Sequence, residues 1–416
     1  MKDERQIDIL CKVVDNLGDI GFAYRLARAL SELPDPPCLR LIVDDLAAFA
    51  SICPHVKADM PLQTVEGFLL VRWDEPGDEA LRLFRSGRPR FVLECYACGR
   101  PPWFESILFD EDDPLPRTIV NLEYLTAESW APGFHKLPSL TRSPLVRKSI
   151  FMPGLEEGTG GLIQDKAFSA LAEKCGDREG FLSVRRSALS FLEANGSPEA
   201  HGLPVQGVPP RDFSGLPDLF WFLIFSYEHD FTSIIADLSR FHTEQPLLAL
   251  VASGRSCAPF LKAWKDAGSP FPVLSLPLMA QQRWDAFLAA SDFTVIRGEE
   301  SFSRACLSGR PFLWQCYPFA EGAGQLPKVH AFLERIKPFL SPEDFASYRR
   351  LTLAFNGDSA LETAPGDLFT VLHALKCPSN AGKSCTFAAG FASRAQEIRN
   401  LGNLASNLLT FMGDLG

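Results

Sequence analysis

Two carboxylates lie in a short glycine-containing stretch near the start of the chain, Asp15-Asn16-Leu17-Gly18-Asp19-Ile20-Gly21. Carboxylates at this spacing can accept protons or hold a cationic group. Gly18 and Gly21 have no Cβ atom, so the backbone there can turn tightly and approach a ligand closely. The alternative is that Asp15 and Asp19 only cap the turn and the helix that follows it.

A second group of polar residues follows an apolar run in the second half of the chain, Arg297-Gly298-Glu299-Glu300-Ser301, with a helix predicted from Ser301. An arginine beside the backbone N–H groups of a helix N-terminus is a recurrent arrangement for binding phosphate. Glu299 or Glu300 is then placed to accept hydrogen bonds from sugar hydroxyls. The alternative is that Glu300 and Ser301 simply cap the helix.

Aromatic residues and one amide stand at or just after other predicted strand ends of the same half, namely Phe225, Tyr227, Gln281 and Trp284. Such side chains suit stacking on a base and binding its edge, whereas packing in the core is the alternative.

In the first half, the aromatic and acidic segment Asn121 to Trp130 follows a predicted strand, where ligands gather in open α/β sheets. A capped helix start that packs its aromatic side chains inward would give the same pattern.

The elements around the first stretch form a βαβ unit, with predicted strands Ile7 to Val14 and Leu39 to Val43 on either side of a helix from Phe22 to Leu33. This unit imitates a dinucleotide-binding fingerprint. However, the G-x-G-x-x-G spacing is absent, and two carboxylates would repel a pyrophosphate. The residues therefore argue against a dinucleotide site.

Alternating strands and helices continue along both halves of the chain, and the first half contributes predicted strands at Val65 to Arg72, Arg90 to Glu94 and Arg117 to Asn121. This pattern predicts an α/β protein with two Rossmann-like domains facing each other across a cleft. A stretch rich in Pro and Gly predicts the linker, which divides the chain into domains at 1–205 and 206–385. A helical segment over 386–416 is expected to pack back on the first domain.

Length and composition limit the class of protein. At 416 residues with 46% apolar content, two globular domains are the natural expectation. The net charge of −10 argues against nucleic-acid binding. The most apolar run, Leu219 to Phe225, is too short to span a bilayer, so a cytoplasmic location without membrane contact is expected.

Eleven scattered cysteines fit reduced thiols, and the pair Cys95 and Cys98 suggests buried thiols rather than a metal or redox site.

At the level of its motifs the chain resembles the elongation factor P arginine rhamnosyltransferases, a bacterial family of glycosyltransferases with the GT-B fold. The motifs run in order along nearly the whole chain: Val13 to Gly21 with Arg25 to Arg28, Val43 to Leu46, Asn121 to Leu125, Pro153-Gly154 with Thr159 to Gly161, Arg297 to Glu299, and Trp314-Gln315 with Tyr317-Pro318. The resemblance implies transfer of rhamnose from dTDP-β-L-rhamnose to a guanidinium nitrogen of one arginine in elongation factor P, with inversion and with neither a metal nor another cofactor.

The resemblance also implies roles for individual residues. Asp19 matches the general base, Asp15 its acidic companion, and Glu299 is a third catalytic candidate. The implied donor-binding residues are Asn16, Gly18, Gly21, Phe225, Tyr227, Gln281, Trp284, Arg297, Glu299, Glu300, Ser301 and Tyr317. The implied acceptor-binding residues are Asn121, Glu123 and Tyr124. The chain departs from the family pattern at Leu278, at Glu300 and in the segment Glu321 to Gln325.

Three other functions compete with this one. Asp110-Glu111-Asp112 has the D-x-D spacing of a metal-dependent glycosyltransferase, but it precedes Asp113-Pro114 and follows no second ligand set, which favours a solvated acidic loop. A non-catalytic nucleotide-sugar-binding protein could dock a partner through the Asn121 to Trp130 segment. A GT-B enzyme with a different acceptor would keep the same two-domain pattern.

Overall fold

The computed structural model describes residues 5–14, 17–194, 213, 215–318, 324–358, 361, 363–376 and 386–415. The chain divides into two compact units, Met1–Ala167 together with Ile398–Gly416, and Phe168–Glu397. The chain therefore builds most of the first unit, then the whole of the second, and returns to the first for its last helix. Among the described residues, no helix is both long and apolar enough to cross a bilayer.

The strands form two sheets. In chain order they are β1 Gln6–Cys11, β2 Cys38–Val43, β3 Leu62–Val65, β4 Phe68–Arg72, β5 Phe91–Cys95, β6 Arg117–Leu122, β7 Pro138–Ser139, β8 Val146–Phe151, β9 Phe220–Ile224, β10 Leu247–Ala252, β11 Val273–Leu276, β12 Phe293–Arg297 and β13 Phe312–Gln315. The first eight form one sheet in the order β3-β4-β2-β1-β5-β6-β8-β7, and the others form the second in the order β11-β10-β9-β12-β13. All pairings are parallel except those of the edge strands β3 and β7.

The helices connect these strands. In chain order they are α1 Gly18–Ser31, α2 Leu46–Ile52, α3 Asp78–Ser86, α4 Pro102–Leu108, α5 Ala131–Phe134, α6 Lys166–Lys174, α7 Arg178–Ala194, α8 Thr232–Glu244, α9 Cys257–Asp266, α10 Gln281–Ala289, α11 Glu299–Ser308, α12 Leu326–Ile336, α13 Pro342–Phe355, α14 Asp367–Ala374, α15 Thr386–Asn400 and α16 Leu404–Leu415. Parallel strands with helical crossovers are the predicted Rossmann-like architecture, so the patterns of both halves identified the fold class correctly.

Both faces of the first sheet are covered. Successive residues of a strand point to opposite faces, and Ile9 and Leu10 of β1 accordingly belong to two different apolar cores. The core on the side of Ile9 includes α1 and α16, and the core on the side of Leu10 includes α3 and α4. The last helix, α16, therefore packs on the first unit, as expected for the end of the 386–416 segment.

One aromatic cluster of the second unit lies around β13. The rings of Phe302 in α11 and Trp314 in β13 stack 4.0 Å apart. Phe391 of α15 contacts Phe312 and Tyr348 through edge-on ring contacts. The greater part of α15 therefore belongs to the second unit, so the 386–416 segment does not pack on the first unit as a whole.

The division between the units differs from the predicted boundary between residues 205 and 206, because α7 belongs to the second unit. Arg185 of α7 is buried and donates hydrogen bonds to the backbone oxygens of Ala290, Pro217 and Leu219 at 2.8–2.9 Å. It also pairs with Asp292 at 2.5 Å. A buried arginine with these partners fixes its helix to the second unit. The predicted boundary itself lies outside the described residues.

Two local predictions were wrong. The acidic stretch is not a loop as far as Gly21, because α1 already begins at Gly18. Apolar residues at helical spacing, Ile20, Ala23, Ala27 and Leu30, bury one side of this longer helix. The segment Val65 to Arg72 is not one strand but part of a hairpin. Glu66 and Gly67 adopt positive φ angles of 47° and 91°, which suits the tight turn between two antiparallel strands.

Candidate active site

In a parallel sheet the carboxyl ends of the strands meet at one edge, where ligands bind in open α/β folds. In the first unit, β1 leads to the loop before Asp19, β5 leads to Tyr96, and β6 leads to Glu123 and Tyr124. These side chains, widely separated in the sequence, are therefore presented at the same edge of the first sheet.

Asp19 lies in the first turn of α1 and is 2% exposed. Its Oδ2 atom accepts a hydrogen bond from the backbone N–H of Val14 at 2.7 Å. The adjacent N–H of Val13 donates to Asp44 Oδ1 at 2.8 Å. The carboxylate of Asp19 is thus held against the loop that precedes its helix, at the edge where ligands bind. Asp15 and Asn16, the other predicted site residues of this loop, lie outside the described residues.

The thiols near this loop are protonated at neutral pH. Burial raises the pKa of Cys11 and Cys95 well above the usual range, and the negative charge of Asp19 contributes to both increases. Burial also raises the pKa of Cys98 to about 12. Cys95 is buried and Cys98 is half-buried, and low reactivity is typical of thiols whose pKa is raised by burial.

The predicted acceptor residues are connected by hydrogen bonds. Asn121 is buried, donates from Nδ2 to Glu123 Oε1, and accepts the N–H of Ala97 at 2.8 Å through Oδ1. Tyr124 is 38% exposed. The structure thus brings Asn121, Glu123 and Tyr124 together, with the amide of Asn121 holding the loop after β5 next to the loop after β6.

Tyr96, which the sequence did not indicate, lies beside the predicted acceptor residue Tyr124. Its ring stacks on that of Tyr124 with centroids 3.9 Å apart and planes inclined by 3°. Its φ angle of 59° and that of Ala97 at 51° are unusual for residues other than glycine. Non-glycine residues in this region cluster at functional sites. The available signal in the sequence is an aromatic residue directly after a buried strand.

In the second unit, Arg297 ends β12 and lies against two aromatic rings. Its guanidinium carbon is 4.7 Å from the ring centroid of Phe225 and 4.8 Å from that of Tyr227. Both aromatic residues follow the neighbouring strand β9. The rings restrict the guanidinium to the carboxyl edge of the second sheet, as expected for a group that binds an anion there.

The helix after Arg297 presents its N-terminus at the same edge. Gly298 has a φ angle of 67°, which favours glycine, and α11 begins at the next residue, Glu299. The backbone oxygen of Gly298 accepts a hydrogen bond from Trp314 Nε1 at 3.0 Å. Ser301 is buried in the first turn. An arginine and a helix N-terminus therefore lie side by side, the predicted arrangement for a phosphate group.

The two glutamates of this turn both have cationic neighbours. Glu299 Oε1 accepts a hydrogen bond from Lys328 Nζ at 2.8 Å, and Glu300 lies 3.9 Å from Arg304. Lys328 belongs to α12, far along the chain, so no local pattern could have linked it to Glu299. The lysine fixes the orientation of the predicted third catalytic residue.

Other predicted donor-binding residues of the second unit lie at the same edge, whereas Gly18 and Gly21 lie in α1 of the first unit. Phe225 makes an edge-on contact with Trp284 at 5.0 Å, and Tyr227 makes one with Tyr317 at 5.6 Å. Tyr317 is 48% exposed, while Gln281 is buried at the start of α10. The structure therefore brings Phe225, Tyr227, Trp284, Arg297 and Tyr317 into one connected aromatic and cationic group.

The positions that depart from the family pattern have different surroundings. Leu278 is 54% exposed just after β11. Gln325 is buried and donates from Nε2 to the backbone oxygen of Asn356 at 2.9 Å. Residues 321–323 of the same segment lie outside the described part of the chain.

The D-x-D stretch is a turn tied to arginine. Asp110 Oδ2 accepts a hydrogen bond from Arg88 at 2.7 Å, and Asp110 Oδ1 accepts the N–H of Asp112 at 3.0 Å. Within the described ranges, these aspartates do not bring three metal-ligating atoms together. Their contacts support the interpretation of a structural acidic loop.

The sequence is similar to those of known proteins along nearly its whole length. The sequence pattern of the family described as Elongation-Factor P (EF-P) rhamnosyltransferase EarP matches residues 7–413. A protein-arginine rhamnosyltransferase of Shewanella oneidensis is 30% identical, over 90% of this chain and 93% of its own. The enzyme of the same name from Pseudomonas putida is 33% identical, over 84% and 86%.

Solved structures show the same fold. A structure described as the basis for EarP-mediated arginine glycosylation of translation elongation factor EF-P covers 98% of this chain and 99% of its own, with a TM-score of 0.57 and 21% identity. A UDP-GlcNAc 2-epimerase from Neisseria meningitidis covers 98% and 100%, with a TM-score of 0.51 and 8% identity. The fold is thus the predicted GT-B type, while the expected cleft between the domains stays a prediction. The chain belongs to the family of elongation-factor P rhamnosyltransferases, and it is an enzyme that transfers a sugar to arginine in protein.

Proposed function

We propose that this enzyme transfers L-rhamnose from dTDP-β-L-rhamnose to a guanidinium nitrogen of a single arginine in elongation factor P, with inversion at the sugar. The observation that carries the proposal is the position of Arg297, held over Phe225 and Tyr227 beside the N-terminus of α11. In an arginine rhamnosyltransferase, a cation and helix N–H groups at a ligand-binding edge suit a nucleoside diphosphate sugar.

The second unit supplies the donor contacts in this proposal. Arg297 and the N–H groups around Ser301 bind the diphosphate, while the ring of Trp284 and the amide of Gln281 contact the base. Glu299, oriented by Lys328, accepts hydrogen bonds from rhamnose hydroxyls. The burial of Gln281 supports this assignment, because a buried amide close to a base edge can select one pattern of donors and acceptors.

The first unit supplies the acceptor contacts. A guanidinium is protonated at ordinary pH and its lone pairs are delocalised, so it is a poor nucleophile. Asp19 accepts a proton from the reacting nitrogen while the bond from that nitrogen to C1 of rhamnose forms and the bond from C1 to the diphosphate oxygen breaks. The electron pair of the broken bond stays with dTDP. Arg297 and the helix N-terminus stabilise that charge.

The test is transfer to folded acceptor. The purified enzyme, dTDP-β-L-rhamnose and folded elongation factor P should give a product heavier by one rhamnosyl group, with the mass on one arginine after peptide mapping. An acceptor with that arginine replaced by lysine is the matched control and should remain unmodified. Free arginine should be a very poor substrate, because selection of one arginine requires contacts with folded protein. Equal reaction of folded factor, unfolded peptide and free arginine would contradict the proposal.

Removal of divalent metal ions should leave the activity unchanged. In this proposal the charge on the departing diphosphate is balanced by Arg297 and helix N–H groups, and the D-x-D stretch is engaged with Arg88. We therefore expect the same initial rate, measured as rhamnosylated factor formed per unit time, with and without EDTA. A loss that added Mg²⁺ or Mn²⁺ reverses would favour the metal-dependent alternative.

A further inference from the structure

Three side chains able to ligate a metal meet at the surface of the first unit: Cys53 and His55 in the segment after α2, and Glu66 in the turn between β3 and β4. Their ligand atoms are a thiol sulfur, an imidazole nitrogen and a carboxylate oxygen, and all lie within 4.8 Å of one another. His55 Nδ1 is 3.2 Å from Glu66 Oε1. The folding of the hairpin therefore brings a ligand from β3–β4 onto two ligands that follow α2.

The cluster has a buried base and an open rim. Cys53 is 0% exposed, whereas the side chain of His55 is 70% exposed and that of Glu66 is 26% exposed. Tetrahedral ligands of Zn²⁺ lie roughly 3.3–3.6 Å from one another, so a small movement of the two surface side chains toward the thiol completes the arrangement. The solvent side leaves the fourth position to a water molecule.

Neighbouring groups orient the ligands. The hydroxyl of Tyr24 donates to Glu66 Oε1 at 3.0 Å, and Arg28 Nε lies 3.7 Å from the other carboxylate oxygen, Oε2. Partners of this kind, one step removed from a metal, fix the orientation of its ligands. Burial raises the pKa of the Cys53 thiol, whereas hydrogen bonds from Tyr24 and from the backbone N–H of His55 act in the opposite direction.

The chemistry of the three ligands selects the metal. Sulfur and imidazole nitrogen together with one carboxylate oxygen are typical ligands of Zn²⁺, whereas Mg²⁺ and Ca²⁺ prefer oxygen alone. Binding would release the thiol proton to solvent, because the thiolate is the form that ligates a metal.

The cluster lies away from the candidate active site. Strand β4 runs parallel to β2, and β2 runs parallel to β1. The turn that contains Glu66 precedes β4, so it lies at the amino edge of the sheet, whereas Asp19 lies at the carboxyl edge. A metal ion at the cluster would therefore not contact the reacting groups.

We infer that Cys53, His55 and Glu66 form a Zn²⁺ site, with water as the fourth ligand, that fastens the β3–β4 hairpin to the segment after α2. The inference goes beyond the proposed function and does not depend on it. It is consistent with an initial rate of transfer that EDTA leaves unchanged, because the ion holds two surface segments together and takes no part in the reaction.

The test uses the full-length enzyme after treatment with EDTA and removal of the chelator. Titration calorimetry with Zn²⁺ should show one equivalent bound, and the ion should raise the Tm, because a ligand that binds the folded state stabilises it. Co²⁺ in place of Zn²⁺ should give the near-ultraviolet absorption of a thiolate bound to cobalt.

Variants of the three ligands assign the site. Cys53→Ser should abolish the cobalt–thiolate absorption. His55→Ala and Glu66→Gln should each weaken Zn²⁺ binding by at least roughly 10- to 100-fold, because losing a group that only orients a ligand already costs that much. Cys38→Ser, which removes an exposed thiol of the same unit, is the matched control and should bind Zn²⁺ as the wild type does.

Three outcomes would overturn the inference: no stoichiometric site in the wild type, cobalt–thiolate absorption that persists in Cys53→Ser, or wild-type Zn²⁺ affinity in either His55→Ala or Glu66→Gln. If Cys53→Ser does not fold, as judged by its Tm, the other two variants still decide, because His55 and Glu66 lie at the surface. The readouts are binding, absorption and Tm, so a failure to modify elongation factor P would contradict the proposed function alone.

Discussion

Asp19→Asn should lower the rate of rhamnose transfer by about 10³-fold, the typical size of a lost general base. The amide oxygen of asparagine can still accept the N–H of Val14, which Asp19 Oδ2 accepts at 2.7 Å, so the loop should keep its conformation. Asparagine cannot take the proton from the guanidinium. The measurement is the single-turnover rate at saturating donor and acceptor, together with calorimetric affinity for dTDP, which should remain within about twofold.

Asp45→Asn is a matched control for this variant. Asp45 follows the neighbouring strand β2 and caps α2 by accepting the N–H of Ala48 at 2.8 Å. Asparagine is an equally good N-cap, so this change should alter neither the Tm nor the rate. Near wild-type turnover of Asp19→Asn would mean that Asp19 only fixes the loop. A correctly folded Asp19→Asn variant with a large loss of transfer rate and intact dTDP affinity would identify Asp19 as the general base.

Arg297→Ala should weaken the binding of dTDP by roughly 10- to 100-fold and should lower turnover as well. The guanidinium is held over Phe225 and Tyr227 at the N-terminus of α11, where it can bind the diphosphate in the ground state and as the leaving group departs. Titration calorimetry with dTDP measures the first effect, and the single-turnover rate at saturating donor measures the second. Arg297→Lys should be intermediate, because an ammonium keeps the charge but not the planar fork.

Arg240→Ala provides a control for the loss of a stacked arginine. Arg240 lies 3.8 Å from the ring centroid of Phe369, near the C-terminus of α8. Since α8 runs back between parallel strands β9 and β10, this pair is at the opposite end of the sheet from Arg297. The control should leave dTDP affinity unchanged. Unaltered dTDP affinity in Arg297→Ala itself would contradict the assignment to the diphosphate.

The fold class and the positions of Asp19 and Arg297 after their strands are predictable from the amino-acid sequence alone. Hydrophobic periodicity is a local property, so it located the strands β1 and β12 and the helices after them. In parallel sheets, residues that follow strands meet at one edge, so the pattern alone predicts Asp19 and Arg297 at the edges where ligands bind in open α/β folds. Motifs in a fixed order along the chain added the reaction type, because they record a family rather than a local conformation.

Tertiary structure decided what depends on residues far apart in the chain. Arg185 assigns α7 to the second unit through Ala290 and Asp292, and Lys328 orients Glu299 from a distant helix. Tyr96 stacks on Tyr124 because β5 pairs with β6, and no local pattern in the sequence predicts that contact. Local patterns specify which face of an element is apolar, but packing alone selects the distant partner that each face and each polar side chain meets.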